Sequence, residues 1–204
     1  MLAIIDYGMG NLGSIRNMLK KIDHNAVVTS RTEDIVAADK IILPGVGAFD
    51  NGMRNLESRG LVRVLSDKVF REKVPILGIC LGMQLMTKYS EEGTLPGLGW
   101  VDARTVRFRF DDTANQRKVP HMGWNTVHVL KENRLFRGMD ERTRFYFVHS
   151  YHVVLPDEGD ILTRTHYGFD FVSSYQKSNI TGVQFHPEKS HKFGMQLLKN
   201  FMDL

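Results

Sequence analysis

With Cys80 as its only cysteine among 204 residues, the chain cannot form an internal disulfide, and a reducing compartment, the cytoplasm, is its natural setting. No apolar run approaches the length needed to span a bilayer. The opening Met1-Leu2-Ala3-Ile4-Ile5-Asp6 lacks the basic start of an export signal and meets an acid after a few apolar residues, so no leader is expected. Lysine and arginine exceed aspartate and glutamate only by 27 to 23, and no dense basic cluster exists. Arg104, Arg107 and Arg109 alternate with Val106, Phe108 and Phe110 as on a strand with one solvated face, so nucleic acid is not an expected partner. Absent too are Ser/Gly linkers, low-complexity tracts and internal repeats. One α/β domain over 1–204, with no metal and no cofactor, is the expectation.

What the chain does have is an apolar run that breaks sharply. Residues 74–86 read as a buried strand, a tight turn and a helix, with Cys80 at the turn and Gly78 and Gly82 two residues to either side, where side chains would crowd. That is the pattern of a nucleophile elbow. It lifts a reactive group to the C-terminal edge of a sheet and sets it at a helix N-terminus, whose partial positive charge favours thiolate. A lone cysteine is as readily a buried structural residue, so the pattern asks for a base.

Ahead of the elbow, strands over 2–7, 26–29 and 40–43 alternate with helical stretches over 14–22, 32–36, 51–59 and 61–71, which implies a parallel sheet. Sites in such sheets gather beyond the C-terminal strand ends, where residues 8–13, residues 44–47 and Cys80 fall. Gly8, Gly10 and Gly13 give a G-x-G-x-x-G pattern without an acid at a ribose position, so close packing of the first helix on the first strand is the preferred reading over a nucleotide cradle. The Gly45-Val46-Gly47 loop is either a plain turn or a set of backbone amides turned toward an anionic intermediate. After Trp100 the chain becomes short strands over 105–110, 126–130, 145–148, 152–155, 160–166, 171–176 and 180–185, an antiparallel extension closed by a helix over 192–204.

Eight histidines compete to be the base. His24, His128, His166 and His191 occupy turns or polar positions, and His121, His149 and His152 sit near sheet edges where packing or hydrogen bonding is expected. His186 ends a buried-looking strand on the side where sites collect, and Pro187 stiffens the backbone after it. Glu188, two residues on, is spaced to accept the imidazole N–H and fix its tautomer. Cys80, His186 and Glu188 thus make a candidate relay for covalent catalysis.

Gly78-Ile79-Cys80-Leu81-Gly82-Met83-Gln84, Pro44-Gly45-Val46-Gly47 and His186-Pro187-Glu188, in this order, resemble the motifs of the class I (triad) glutamine amidotransferases. Asp6-Tyr7-Gly8-Met9-Gly10-Asn11-Leu12, Pro120-His121-Met122-Gly123-Trp124-Asn125, Tyr146-Phe147-Val148-His149-Ser150-Tyr151 and His186-Pro187-Glu188-Lys189-Ser190 look, within that family, like the glutaminase subunits of imidazole glycerol phosphate synthases. The resemblance implies a flavodoxin-like fold, a mostly parallel sheet flanked by helices with an antiparallel extension, and hydrolysis of L-glutamine to glutamate and ammonia through a cysteinyl thioester. Cys80 would be the nucleophile, His186 the base and Glu188 its orienter. The oxyanion would be met by Val46 and Leu81, and glutamine held by Gly47, Gln84, Glu92, Ser150 and Tyr151. The implied partner is a (β/α)8-barrel cyclase in a heterodimer, faced by His121, Trp124, Asn125 and Tyr146 and taking up the ammonia for histidine biosynthesis. A paralogue feeding another acceptor, such as a surface-polysaccharide sugar, and a non-catalytic scaffold of the same fold are the alternatives.

Overall fold

A computed structural model describes residues 1–110 and 117–204. The first half alternates strand and helix: β1 (Leu2–Ile5), α1 (Leu12–Lys20), β2 (Ala26–Thr29), α2 (Thr32–Val36), β3 (Lys40–Gly45), α3 (Phe49–Ser58), α4 (Leu61–Phe70), β4 (Ile76–Cys80) and α5 (Leu81–Leu85). Then follow β5 (Tyr89–Ser90), β6 (Arg104–Arg107), β7 (His121–Thr126), β8 (His128–Val129), β9 (Arg144–His149), β10 (Tyr151–Val154), β11 (Ile161–Tyr167), β12 (Phe169–Lys177), β13 (Ile180–Val183) and α6 (His191–Met202).

Among the described residues one sheet runs β2-β1-β3-β4-β13-β12-β10-β6-β5, with β11 on β12 and β8 on β11. The pairs β1–β2, β1–β3, β3–β4 and β4–β13 are parallel, whereas β13–β12 and the strands beyond it, β5–β6 excepted, pair antiparallel. Strands β7 and β9 form a separate antiparallel ribbon.

Alternation along the strands splits the core in two. Ala3, Ile5, Ile41, Leu43 and Ile76 face the helices α2 to α5 through Ile35, Phe49, Met53, Leu56, Leu61, Leu65, Val69 and Leu81. Leu2, Ile4, Ile42, Leu77, Ile79 and Cys80 face the other way, onto Ile15 and Leu19 of α1, Leu197, Leu198 and Phe201 of α6, and Phe145 and Phe147 of the ribbon. Both faces of the parallel half are therefore covered, which is why its strands read as continuous apolar runs.

Two expectations change here. The strand expected over 126–130 is two: β7 ends at Thr126, buried Val127 donates to the Thr143 carbonyl, and β8 resumes against β11 instead of β9. The stretch 105–110 is strand only to Arg107; Phe108 still donates its N–H to the Ser150 carbonyl at 3.1 Å, and Phe108 and Phe110 stack on each other among Tyr167 and Phe169. Neither break carries a glycine or proline at the break point.

Candidate active site

Three strand ends meet at one place. Gly45 at the end of β3 is the register partner of Cys80 at the end of β4, and Val183, ending β13, lies two residues before Phe185 and three before His186. Cys80 takes φ +53° and ψ −107°, a strained conformation for a residue bearing a Cβ, at the point where strand turns into helix. The elbow closes because Gly82 packs directly on β3: a Cβ built there would stand 1.8 Å from the Leu43 carbonyl oxygen.

The Cys80 side chain is 7% exposed, with Sγ 3.6 Å from the Gln184 amide nitrogen and 3.9 Å from the Val148 carbonyl oxygen. His186 is buried, and its Nδ1 donates to Glu188 Oε1 at 2.8 Å, while Nε2 has no hydrogen-bond partner within bonding distance among the described residues. Its backbone is stitched down from both sides: His186 N–H donates to Tyr146 O at 2.9 Å, and the Ser190 hydroxyl donates to His186 O at 2.6 Å while accepting from Tyr146 N–H at 3.0 Å. Asn11 Nδ2 donates to the same Glu188 oxygen at 2.9 Å. Burial alone would lower the imidazole pKa, but attraction to Cys80 in front and to the Glu188 carboxylate behind raises it. For Glu188, burial raises and the His186 and Asn11 hydrogen bonds lower, with the lowering ahead. The helix after the thiol, α5, is only five residues long, so the macrodipole expected from a full helix is small.

A cavity of about 350 Å³ opens over the thiol. Val46, Gly47, Cys80, Leu81, Gln84, Glu92, Ser150, Tyr151 and His186, all singled out from the sequence, line it together with Pro120, Val148 and His149. Glu92 reaches it because its carboxylate accepts from the N–H of Phe49, the first residue of α3, at 2.9 Å, while the Asp50 carboxylate clamps Thr94 and Leu95 of the same loop. Burial raises the Glu92 pKa, the Phe49 N–H opposes it, and Asp50 adds to the rise. The Gln84 amide nitrogen is spent inside the protein, on Tyr151 O at 3.2 Å and Gln184 Oε1 at 3.0 Å.

On the expected partner face the structure separates the residues. Trp124 is 44% exposed, stacks on His191 and lies under the Arg144 guanidinium, and Met122 beside it is 61% exposed. Tyr146 is half-buried beneath Lys189. Asn125 is half-buried, but His121 is only 3% exposed and turned inward, because on β7 it alternates to the face opposite Met122 and stacks on Phe147 and Tyr167. It lies under that face rather than on it.

Sequence reasoning missed Asn11, Gln184, Val148 and Tyr7. Gln184 had a signal: a polar residue two positions before His186 in an apolar strand shares its face. Tyr7, whose hydroxyl donates to the Pro44 carbonyl at 2.7 Å, pins the 44–47 loop from below. The glycine turn has a clear use. Gly10 lets the chain pass against Pro44, and Asn11 then reaches Glu188, whereas Gly13 touches nothing that a Cβ would meet.

A family model for the class-I glutamine amidotransferases matches residues 3–204, and the chain belongs to that family. Within it the chain is 55% identical to imidazole glycerol phosphate synthase subunit HisH 2 of Methanococcus maripaludis, over 99% of this chain and 98% of the relative. It is 52% identical to subunit HisH 2 of Pseudomonas aeruginosa over the whole of both. In fold it follows a glutamine amidotransferase from Thermotoga maritima with a TM-score of 0.66 at 16% identity, over 99% of this chain and 82% of that one.

The buried histidines carry a pH prediction. Burial lowers His121 and His152 to about 4 and His149 well below 6.5, with neighbouring imidazoles adding to the last. Unfolded, each titrates near 6.5, so these three stabilise the fold above that pH and lose the contribution as pH falls toward 4. His186, raised, acts in reverse: its contribution is full below about 6.5 and is lost as pH climbs through its folded value. Urea unfolding midpoints measured across pH 4 to 10 should peak near neutrality and fall more steeply on the acid side. A steeper alkaline side would contradict the assignment.

Proposed function

We propose that this chain is the glutaminase half of a cytoplasmic two-subunit synthase. It hydrolyses L-glutamine and delivers the ammonia to a (β/α)8-barrel cyclase subunit, which makes imidazole glycerol phosphate and AICAR in histidine biosynthesis. The observation that carries the reading is the single cavity that gathers Cys80, His186 and the glutamine-contacting candidates. In the first step Cys80 Sγ attacks the side-chain amide carbon as His186 Nε2 takes the thiol proton, and Glu188 holds the imidazolium that results. The oxyanion is met by the backbone N–H of Leu81 and of the Val46 region, each worth ~3 kcal/mol of transition-state stabilisation in a comparable hydrolase. His186 then protonates the departing amine, ammonia leaves, and water, deprotonated by His186, splits the γ-glutamyl thioester to release glutamate. Glu92, ionised, suits the glutamine α-ammonium, and Gly47, Gln84, Ser150 and Tyr151 contact the remainder.

No synthase chemistry is evident in the cavity itself, so the acceptor belongs to the partner, docked over Met122, Trp124, Asn125 and Tyr146. Ammonia released without an acceptor wastes glutamine. Steady-state glutaminase assays with the cyclase and its acceptor present should therefore exceed those of the chain alone by about tenfold or more, the scale of a coupling free energy above 1 kcal/mol. Equal rates would overturn the coupling. Both relatives reported above carry the numeral 2 in their names, an observation that favours keeping a paralogue serving another acceptor as the second reading. Glutamine-dependent product formation with the histidine-pathway cyclase decides between the two.

A further inference from the structure

Four polar groups from the three strands β7, β9 and β10 form an unbroken line. His149 Nδ1 lies 2.7 Å from the Tyr151 carbonyl oxygen, which can only accept, so Nδ1 carries the proton. Neutral His149 then has a lone pair on Nε2, and His121 Nδ1, 2.9 Å away, must donate to it. His121 Nε2 is in turn an acceptor, met at 3.1 Å by Asn125 Nδ2. The Asn125 amide has its own orientation set, because its Oδ1 accepts from Thr126 N–H at 2.8 Å and its Nδ2 also donates to His166 O at 2.9 Å. Every donor faces an acceptor only if both imidazoles are neutral and in the Nδ1–H form. Their burial and lowered affinity for protons agree with that state.

The line continues into the candidate active site. The Tyr151 carbonyl also accepts from Gln84 Nε2, which donates to Gln184 Oε1, and Gln184 Nε2 points at Cys80 Sγ. Toward its other end, His121 lies on the face of β7 opposite the exposed Met122 and Trp124. A shift of β7 is thus a shift of His121, and a rotated His121 ring leaves His149 Nε2 unpaired in a buried site, which costs enough to make the line respond as a unit.

We infer that His121 and His149 are positioning residues that form a neutral, tautomer-fixed hydrogen-bond relay, tying the register of the β7–β9 ribbon to the Tyr151 carbonyl and Gln84 amide of the glutamine cavity. The inference rests on the glutaminase reading above. It makes the ring nitrogens, and not ring volume, the property of His121 that matters. His121→Asn keeps an N–H near the Nδ1 position while shrinking the side chain, and His121→Phe keeps the volume while removing both nitrogens.

The test is glutamine hydrolysis by the complex with the cyclase and its acceptor, resolved into KM and kcat, for wild type and both variants. Expected is a rise in glutamine KM of about tenfold or more in His121→Phe, the scale of an unsatisfied buried acceptor, with His121→Asn within about threefold of wild type. A purely packing role gives the opposite order, and that order, or equal values for the two variants, overturns the proposal. Ring 15N spectra of the wild-type complex form the second measurement and do not depend on how a variant folds. Both imidazoles should be neutral with Nδ1 protonated, and an imidazolium or an Nε2–H form at either position refutes the relay. Absence of glutaminase activity in the wild-type complex would count instead against the proposed function, with the spectra still deciding the relay.

Discussion

Replacing Cys80 with alanine is expected to lower glutamine hydrolysis by at least about 10⁴-fold, because nucleophile and base act as a unit and losing either loses nearly all covalent catalysis. Stability should change little. The Sγ contacts are long, 3.6 and 3.9 Å, and the strain at φ +53° belongs to the backbone and is as easily borne by alanine. The complex of this variant with its cyclase should still form product when ammonium salts replace glutamine, since ammonia is what the partner consumes under the proposed function. Measuring glutamate release and ammonium-driven product side by side checks both halves. A variant that still hydrolyses glutamine within tenfold of wild type would remove Cys80 from the mechanism.

The second large effect is structural. Gly82→Ala places a Cβ 1.8 Å from Leu43 O and 2.9 Å from Leu43 C, both backbone atoms of β3. That strand cannot step aside, for it is held between β1 and β4 with Leu43 registered on Gly78. Overpacking against fixed backbone is expected to cost about 3 kcal/mol or more, a fall of roughly 10 °C in Tm for a chain of this size. Any chain that does fold should have its 44–47 loop displaced, and so a poorer kcat. Gly13→Ala is the control. It lies in α1 with nothing within 4 Å of its would-be Cβ, so it should be neutral or gain a few tenths of a kcal/mol. Thermal unfolding of the two variants with wild type settles the point, and comparable Tm values for Gly82→Ala and wild type would show that the elbow can yield.

The elbow was legible because its cause is local: Gly78, Cys80 and Gly82 lie within five residues, and the constraint on each is a turn visible in the sequence. His186 and Glu188 were legible for the same reason, as a pair two residues apart at a strand end. The parallel half of the sheet could be read from alternating strands and helices. Asn11 and Gln184 could not be placed so directly, since their partners lie 177 and 104 residues away and depend on which strands become neighbours. The strand that carries His121 was not expected, and His121, expected on the partner face, lies inward of it. With Gly123 at φ +126° in the middle of β7, the stretch 121–126 carries no clean apolar alternation from which its inward face could be read. Of the three histidines expected to pack or hydrogen-bond, His149 does bond, to His121 and Tyr151, and it also lines the cavity.

The position of β13 has a consequence in time. It is the final strand along the chain, yet it lies in the interior of the sheet, parallel to β4 and antiparallel to β12, and the residues that follow it bring His186 to Cys80. While the polypeptide is being made, N-terminal segments can collapse long before these arrive, and the thiol emerges about a hundred residues ahead of its base. Under the proposed function, an unfinished molecule on the ribosome would carry Cys80 without His186 beside it. Activity would then appear only once β13 has paired with β4 and β12, and so would report that this late-made strand is in place.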